Sequence, residues 1–342
     1  MAKRILALTQ GDPAGVGPEV LLKALAGGEF DEELVPLVVA ERSALDAVRP
    51  LVSELDWRRL VEVSSPSRAA LAALEPGAIG LLDPVGEPRA IEFGESTAAD
   101  AQGAMAALDA AIELARDGVV DGLVTAPVAK STISRYARPG FVGHTDYLAR
   151  AFGLERYGRD YLMAFLAPDL QVALLSVHEP LARSIATLTT GAVLDALACL
   201  DRHAGGRIAV AGLNPHAGEG GLLGVEDEEI LRPAVERARE RGLDVHGPES
   251  ADSLFARACR GEFDWVLALY HDQGLIPVKT ASFGEATNWT LGLPVLRTSV
   301  DHGTAFRIAG SGVADAQPMR SVIATTLELI EGTLPRRSAA RV

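Results

Sequence analysis

The sequence predicts an α/β protein, a largely parallel sheet with helices on its faces. Apolar runs of strand length alternate with helical patterns along most of the 342 residues, as βαβ units require. The runs stay apolar at successive positions, which is the composition of strands buried on both faces. The chain is also longer than one core commonly supports, so it forms two domains or one large α/β unit split by a cleft.

Strands are expected, in order, at residues 4–9, 35–40, 121–126, 161–167, 171–177, 207–213 and 264–270. Helices are expected at 18–26, with Pro18 suited to the first helical position, and at 98–116, where Thr97 and Asp100 form a capping pair and Gly118 follows the end. Further helices are expected at 192–203, 227–241, 253–260 and 318–330. Residues 64–69 and 84–88 read as surface loops and 335–342 as a frayed tail.

A formal charge of −14 disfavours nucleic acid or an anionic membrane as partner. An anionic substrate would have to be met by a few placed Lys and Arg residues. No run approaches the roughly 18 apolar residues of a membrane span, and the apolar stretch after Lys3-Arg4 is too short for a secretory core. A cytoplasmic enzyme is expected. Cys199 and Cys259 lie far apart in helical patterns and read as reduced packing residues.

Three apolar runs each deliver a histidine just past their end: Ser176-Val177-His178-Glu179, Asn214-Pro215-His216-Ala217-Gly218 and Tyr270-His271-Asp272-Gln273-Gly274. The carboxyl edge of such a sheet is where ligands bind. Each histidine alone fits a loop residue bonded to backbone. Three such placements among seven histidines point to one shared site, and three imidazoles suit a divalent metal with an open position. Gly11, Gly15 and Gly17 make a tight strand-to-helix turn, but their spacing is not that of a dinucleotide fingerprint. Lys130, His144 and Thr145 suit a phosphate or carboxylate, or equally a capped helix with a solvated lysine. The glycines around Glu219 let backbone approach a ligand closely. His271, Asp272, Lys279, Asn288, Arg297, Asp301, His302 and Thr304 crowd a glycine- and proline-rich stretch, 270–310, that reads as one long shaped loop.

Taken together, Gly11-Asp-Pro-Ala-Gly-Val-Gly-Pro-Glu19, Gly143-His-Thr-Asp146, Gly212-Leu-Asn-Pro-His-Ala-Gly-Glu-Gly-Gly221, Tyr270-His-Asp-Gln-Gly274 and Arg297-Thr-Ser-Val-Asp-His-Gly-Thr-Ala305 resemble the 4-hydroxythreonine-4-phosphate dehydrogenase family of vitamin B6 biosynthesis, with its paralogues. The resemblance covers nearly the whole chain and extends to isocitrate and isopropylmalate dehydrogenases. It implies two α/β/α subdomains with an active-site cleft between them, residues 1–127 with 303–342 forming one and 128–302 the other, which carries metal, substrate and dimer interface. It also implies oxidation with decarboxylation of 4-hydroxythreonine 4-phosphate toward pyridoxal 5′-phosphate. The implied cofactors are NAD or NADP and one divalent ion per site, whether zinc, cobalt, magnesium, manganese or nickel. The implied assembly is a homodimer with its active site at the subunit interface.

Matching positions imply His178, His216 and His271 as metal ligands. His144, Thr145, Lys279, Asn288 and Arg297 would hold the phosphorylated substrate, and Asp252, Asp272 or Lys279 would supply the base. Cofactor contacts would come from Asn214, Gly218, Glu219 and Gly220 and from Asp301, His302, Gly303 and Thr304. The chain departs from the biosynthetic pattern at Asp146, Leu222-Leu223, Leu275-Ile-Pro-Val-Lys279 and Glu285-Ala-Thr287. The alternative substrates are therefore other phosphorylated four-carbon acids such as 4-phospho-D-erythronate or 4-phospho-D-threonate. A metal-dependent hydrolase or lyase, which needs no nicotinamide, is a further alternative.

Overall fold

The buried apolar runs fold as strands and gather into two compact units. A computed structural model describes residues 3–282 and 284–333. The chain first makes β1 (Arg4–Thr9), α1 (Gly17–Ala26), β2 (Leu34–Val39), α2 (Arg42–Val48), β3 (Leu60–Glu62), α3 (Arg68–Ala72), β4 (Ile79–Leu82), α4 (Ala98–Arg116), β5 (Gly122–Thr125), α5 (Lys130–Tyr136) and α6 (His144–Ala151). The second unit follows, with β6 (Leu162–Ala167), β7 (Leu170–Leu174), α7 (Leu181–Ala186), α8 (Thr190–His203), β8 (Ile208–Ala211), α9 (Arg232–Glu240), β9 (Val245–Glu249), α10 (Ala251–Cys259), β10 (Trp265–Ala268), α11 (His271–Ser282) and β11 (Thr287–Leu291). The chain then returns to the first unit with β12 (Leu296–Val300) and α12 (Gln317–Ile330).

The strands of the first unit are all parallel, in the order β3-β4-β2-β1-β5-β12. From β1 the chain winds outward to β2 and later returns to β5 on the other side, so the order reverses at β1. A crevice opens beyond the carboxyl ends of strands at such a reversal. Leu6 and Leu8 of β1 are buried against Val20 and Leu21 of α1 and Met319 and Ile323 of α12. Helix α4 starts in a capping box, Thr97 and Asp100 each bonding the other's backbone, which stabilises a helix start by about 1 kcal/mol.

In the second unit the order is β11-β6-β7-β10-β8-β9. Strands β7, β10, β8 and β9 are parallel. Strand β6 runs antiparallel to both β7 and β11, so the expected parallel arrangement gives way there. The cause is the short Pro168-Asp169 link, which leaves room only for a hairpin.

Further departures from expectation have local causes. The 270–310 stretch is not one loop but holds α11, β11 and β12. Gly274 is a packing residue instead of a turn residue, because a Cβ there would lie within 3.0 Å of Leu174, Val172 and Ala268. The helix expected at 227–241 opens instead with a π-helical turn, Asp227–Leu231, before α9. Short elements such as β3, β9 and α7, too brief to show periodicity, were not anticipated. The unit boundaries fall at Ala151 and Val295, not at 127/128 and 302/303. Helix α5 packs on α4 and β12 pairs with β5, which draws both into the first unit. The tail 335–342 lies outside the described residues. Neither Cys199 nor Cys259 is in a disulfide. No described helix is long and apolar enough to cross a membrane.

One buried ion network braces the first unit. Arg89 bonds Glu41 at 2.6 and 2.9 Å and Asp100 at 2.8 Å, while Gln10 Oε1 accepts the Glu41 amide at 2.9 Å. The Arg89→Ala substitution leaves two buried carboxylates unpaired and should lower unfolding free energy by about 3 kcal/mol. Arg58→Ala, at an exposed pair, should leave stability nearly unchanged. Urea unfolding followed by circular dichroism separates the two, and equal losses would contradict the network's role.

Candidate active site

Strand β10 lies between β7 and β8 and is parallel to both. All three carboxyl ends therefore share one edge of the sheet, and His178, His216 and His271 leave it in turn. The His178 and His271 rings stand 5.6 Å apart between centroids, tilted by 45°. With Glu179, Tyr270 and Asp272 they line a cavity of about 420 Å³. His271 Nδ1 donates to Asp272 Oδ1 at 2.7 Å, which orients the imidazole as a carboxylate does behind a metal-bound histidine.

His216 is delivered differently. Its turn, Pro215–Gly221, runs through the left-handed region, with φ of 52° at His216, 50° at Ala217, 79° at Gly218, 46° at Glu219 and 64° at Gly220. Left-handed backbone costs a non-glycine residue roughly 1–2 kcal/mol, so something must hold it. Asp227 does so: its carboxylate accepts Leu213 N–H at 2.8 Å, Asn214 N–H at 3.0 Å and Asn214 Nδ2 at 2.9 Å. Gln273 ties this segment to α11, donating to Gly212 O at 2.8 Å and accepting Leu269 N–H at 2.7 Å. The Ser250 hydroxyl, 2.6 Å away, and then the nearby His216 hold the Asp252 carboxyl below the ordinary range.

The structure thus brings His178 to His271 and His216 to Asp252. Two imidazoles on one cavity fit the start of a metal's donor set. Among the described residues, however, no three His, Cys, Asp or Glu side chains close on a common point. Lys279 lies seven residues after Asp272 on α11 and so on the same face. Asn288 is half-buried on β11, with its Oδ1 buried and without a hydrogen-bond partner.

The first unit carries a cationic cradle. Arg297 of β12 is 1% exposed and donates to Thr125 Oγ1 at 2.6 Å. Burial pulls its pKa down to about 9. His144 opens α6, beside buried Thr145. Lys130 lies across Gly143, where a Cβ would meet Lys130 Cε at 3.4 Å. Burial, and then the charges of Arg297 and Lys130, push His144 well below its ordinary 6.5. Lys130, though exposed, is near enough for its charge to act on His144. A helix N-terminus beside cations offers the chemistry that suits an anion.

The 301–304 turn meets the glycine turn after β1, with Val16 N–H donating to Thr304 O at 3.0 Å. Within it, His302 Nδ1 lies 2.9 Å from Gly303 O. Thr125, Asp227 and Gln273 were not foreseen as site residues. Gln273 sits inside a quoted motif and could have been suspected, whereas Asp227 lies in the run Glu226-Asp-Glu-Glu229, which reads as a solvated face.

A family model described as pyridoxal phosphate biosynthetic protein PdxA matches residues 32–326. The chain is 39% identical over 336 residues to the D-threonate 4-phosphate dehydrogenase of Salmonella typhimurium, covering 96% of this chain and 100% of that one. It is 41% identical over 338 residues to the 4-hydroxythreonine-4-phosphate dehydrogenase of Burkholderia vietnamiensis, covering 95% and 96%. The crystal structure of a 4-hydroxythreonine-4-phosphate dehydrogenase from Klebsiella pneumoniae matches with a TM-score of 0.85 and 36% identity, covering 96% and 98%. Fold and relatives define the class as an oxidoreductase, and a dehydrogenase family implies a nicotinamide cofactor. The chain belongs to the pyridoxal phosphate biosynthetic PdxA family.

Two outcomes are expected. The folded state resists protonating His144, so its contribution to stability is present above 6.5 and lost as pH falls below it, where the unfolded chain takes up the proton. NMR titration should show His144 neutral at pH 6.5 and its pKa rising when inorganic phosphate binds; an unmoved resonance would exclude the cradle as an anion site. Ala217→Gly should raise unfolding free energy by about 1 kcal/mol by relieving the left-handed backbone, as measured by urea unfolding.

Proposed function

We propose that this protein is a homodimeric, divalent-metal-dependent dehydrogenase that oxidises 4-hydroxythreonine 4-phosphate with decarboxylation, using NAD or NADP. The observation that carries this reading is the shared strand edge, with β10 sending His271 out between His178 after β7 and His216 after β8. When bound, a divalent cation would polarise the substrate's hydroxyl and later its carbonyl, and the nicotinamide would take up the hydride.

The chain's own residues supply the rest. Asp272 orients His271 through the 2.7 Å bond. Asp252, kept ionised beside Ser250, is in the form that accepts a proton. Arg297, Lys130, His144 and Thr145 suit the phosphate, while Lys279 and the orphaned Asn288 Oδ1 suit the remaining polar groups of the substrate. Asn214, Gly218, Glu219 and Gly220 on the left-handed turn, and the 301–304 turn, are assigned to the cofactor.

The dimer is supported by exposed apolar side chains flanking the histidine segments: Leu181 and Ile185 on α7, Leu222 and Leu223 past the left-handed turn, and Ile276 on α11. A second copy covering them would hide this surface and could complete the metal's donor set. A second substrate, 4-phospho-D-threonate or 4-phospho-D-erythronate, is favoured by exposed Glu285, which places a negative charge where the biosynthetic pattern has a cation.

A turnover screen of the three phosphorylated acids against NAD and NADP tests this. Nicotinamide reduction should require a divalent ion and stop with a chelator. His271→Ala should lower kcat/KM at least about a hundredfold and Asp272→Asn about tenfold. Reduction undiminished by chelator would sink the metal role, and a sedimentation mass of one chain would sink the dimer.

A further inference from the structure

The reversal of strand order at β1 marks the crevice beyond β1 and β5 as the place where this sheet receives a ligand. Asp12 stands there with its side chain wholly buried. Its Oδ1 accepts Ala14 N–H at 3.0 Å. Its carbonyl accepts Gly15 N–H at 3.0 Å, and its own N–H donates to Pro127 O at 2.8 Å, past the end of β5. The turn fixed in this way aims Val16 N–H at the Thr304 carbonyl, 3.0 Å away. Gly15 permits that approach, since a Cβ there would lie 3.0 Å from the same carbonyl oxygen and 3.2 Å from Thr304 Cβ. Ala14 O in turn accepts Gly94 N–H at 3.0 Å.

The second carboxyl oxygen, Oδ2, is buried and lacks a well-aligned hydrogen bond such as the one Oδ1 makes with Ala14. Burial raises the Asp12 pKa and the Asp100 charge adds to this, while hydrogen bonding by the Ser96 side chain and by the Ala14 and Ala129 amides opposes it. A turn of this shape can be capped by asparagine as well as by aspartate. The oxygen on the Ala14 amide is thus the useful part of this side chain, and the buried acidity is a cost.

We infer that Asp12 is a positioning residue: through the 12–16 turn it sets the place of the 301–305 turn, and with it the affinity for the nicotinamide cofactor. This rests on the assignment of the 301–304 turn to the cofactor above. A residue that acts through the turn in this way should, when lost, raise KM for the cofactor and leave kcat nearly intact.

Calorimetry with NAD and NADP, together with steady-state kinetics on the full chain, decides the matter. Wild type should bind at least one of them. Asp12→Ala should weaken that binding and raise its KM about tenfold, the effect of one lost hydrogen bond, with kcat changed less than about twofold. Asp12→Asn, which keeps an oxygen for the Ala14 amide, should restore wild-type affinity. If wild type binds neither nucleotide, the cofactor assignment fails and takes this inference with it. If wild type binds and folded Asp12→Ala binds equally well, or Asp12→Asn fails to rescue, the inference alone falls. Should Asp12→Ala not fold, Gly15→Ala decides: its added methyl presses on Thr304 and should weaken cofactor binding, and unchanged binding overturns the role of the turn.

Discussion

The seating of α11 on β7 and β10 is the contact on which the strand-edge site depends. At Gly274 the helix backbone comes so close that any Cβ would collide with Leu174, Val172 and Ala268. Leu275 and Val278 then bury into the same core as Val172 and Leu174. Because the helix is pressed down there, its first residue, His271, has little freedom, and its ring stays 5.6 Å from that of His178. Gln273, one residue before the close approach, carries the constraint sideways to Gly212 and hence to the segment that bears His216. A packing requirement in the core is in this way converted into the placement of polar groups at the surface.

The left-handed turn at His216 shows the opposite strategy, local strain held by a buried acid. Asp227 is completely buried and spends its carboxylate on the backbone of Leu213 and Asn214 and on the Asn214 side chain. Each bond to a charged acceptor is worth about 1.5–3 kcal/mol, enough to offset the unfavourable backbone of His216, Ala217 and Glu219. Residues kept in costly conformations by their surroundings cluster at functional sites. The turn's neighbours, exposed Leu222 and Leu223, add a surface that water alone would not select.

Much of this was legible in the sequence and some of it could not be. Strand β1 falls where periodicity puts it, the Thr97–Asp100 box starts α4 as its residues dictate, and the three histidines leave adjacent strands as their position after apolar runs implied. Helix α11 was hidden because Gly274 and Pro277 signal a turn when read locally, whereas the tertiary contact at Gly274 demands glycine for space. Asp227 was hidden because a buried acid and a solvated one are identical letters. The two-way split was readable from length, but its boundaries depend on which strand β12 pairs with, and pairing is a long-range property that composition does not encode.

The cationic cradle offers a local setting in which a protein of charge −14 could hold an anion. Net charge governs approach at long range and is screened over roughly 10 Å in salt. Inside that distance the local set governs. Arg297 is withdrawn from solvent at a cost that lowers its pKa to about 9. Burial, and then its cationic neighbours, bias His144 toward the neutral form, which can offer a hydrogen bond without a further charge. An anion entering such a cluster would meet groups already withdrawn from water, so its affinity would come from the preorganised local set and not from the protein's overall field.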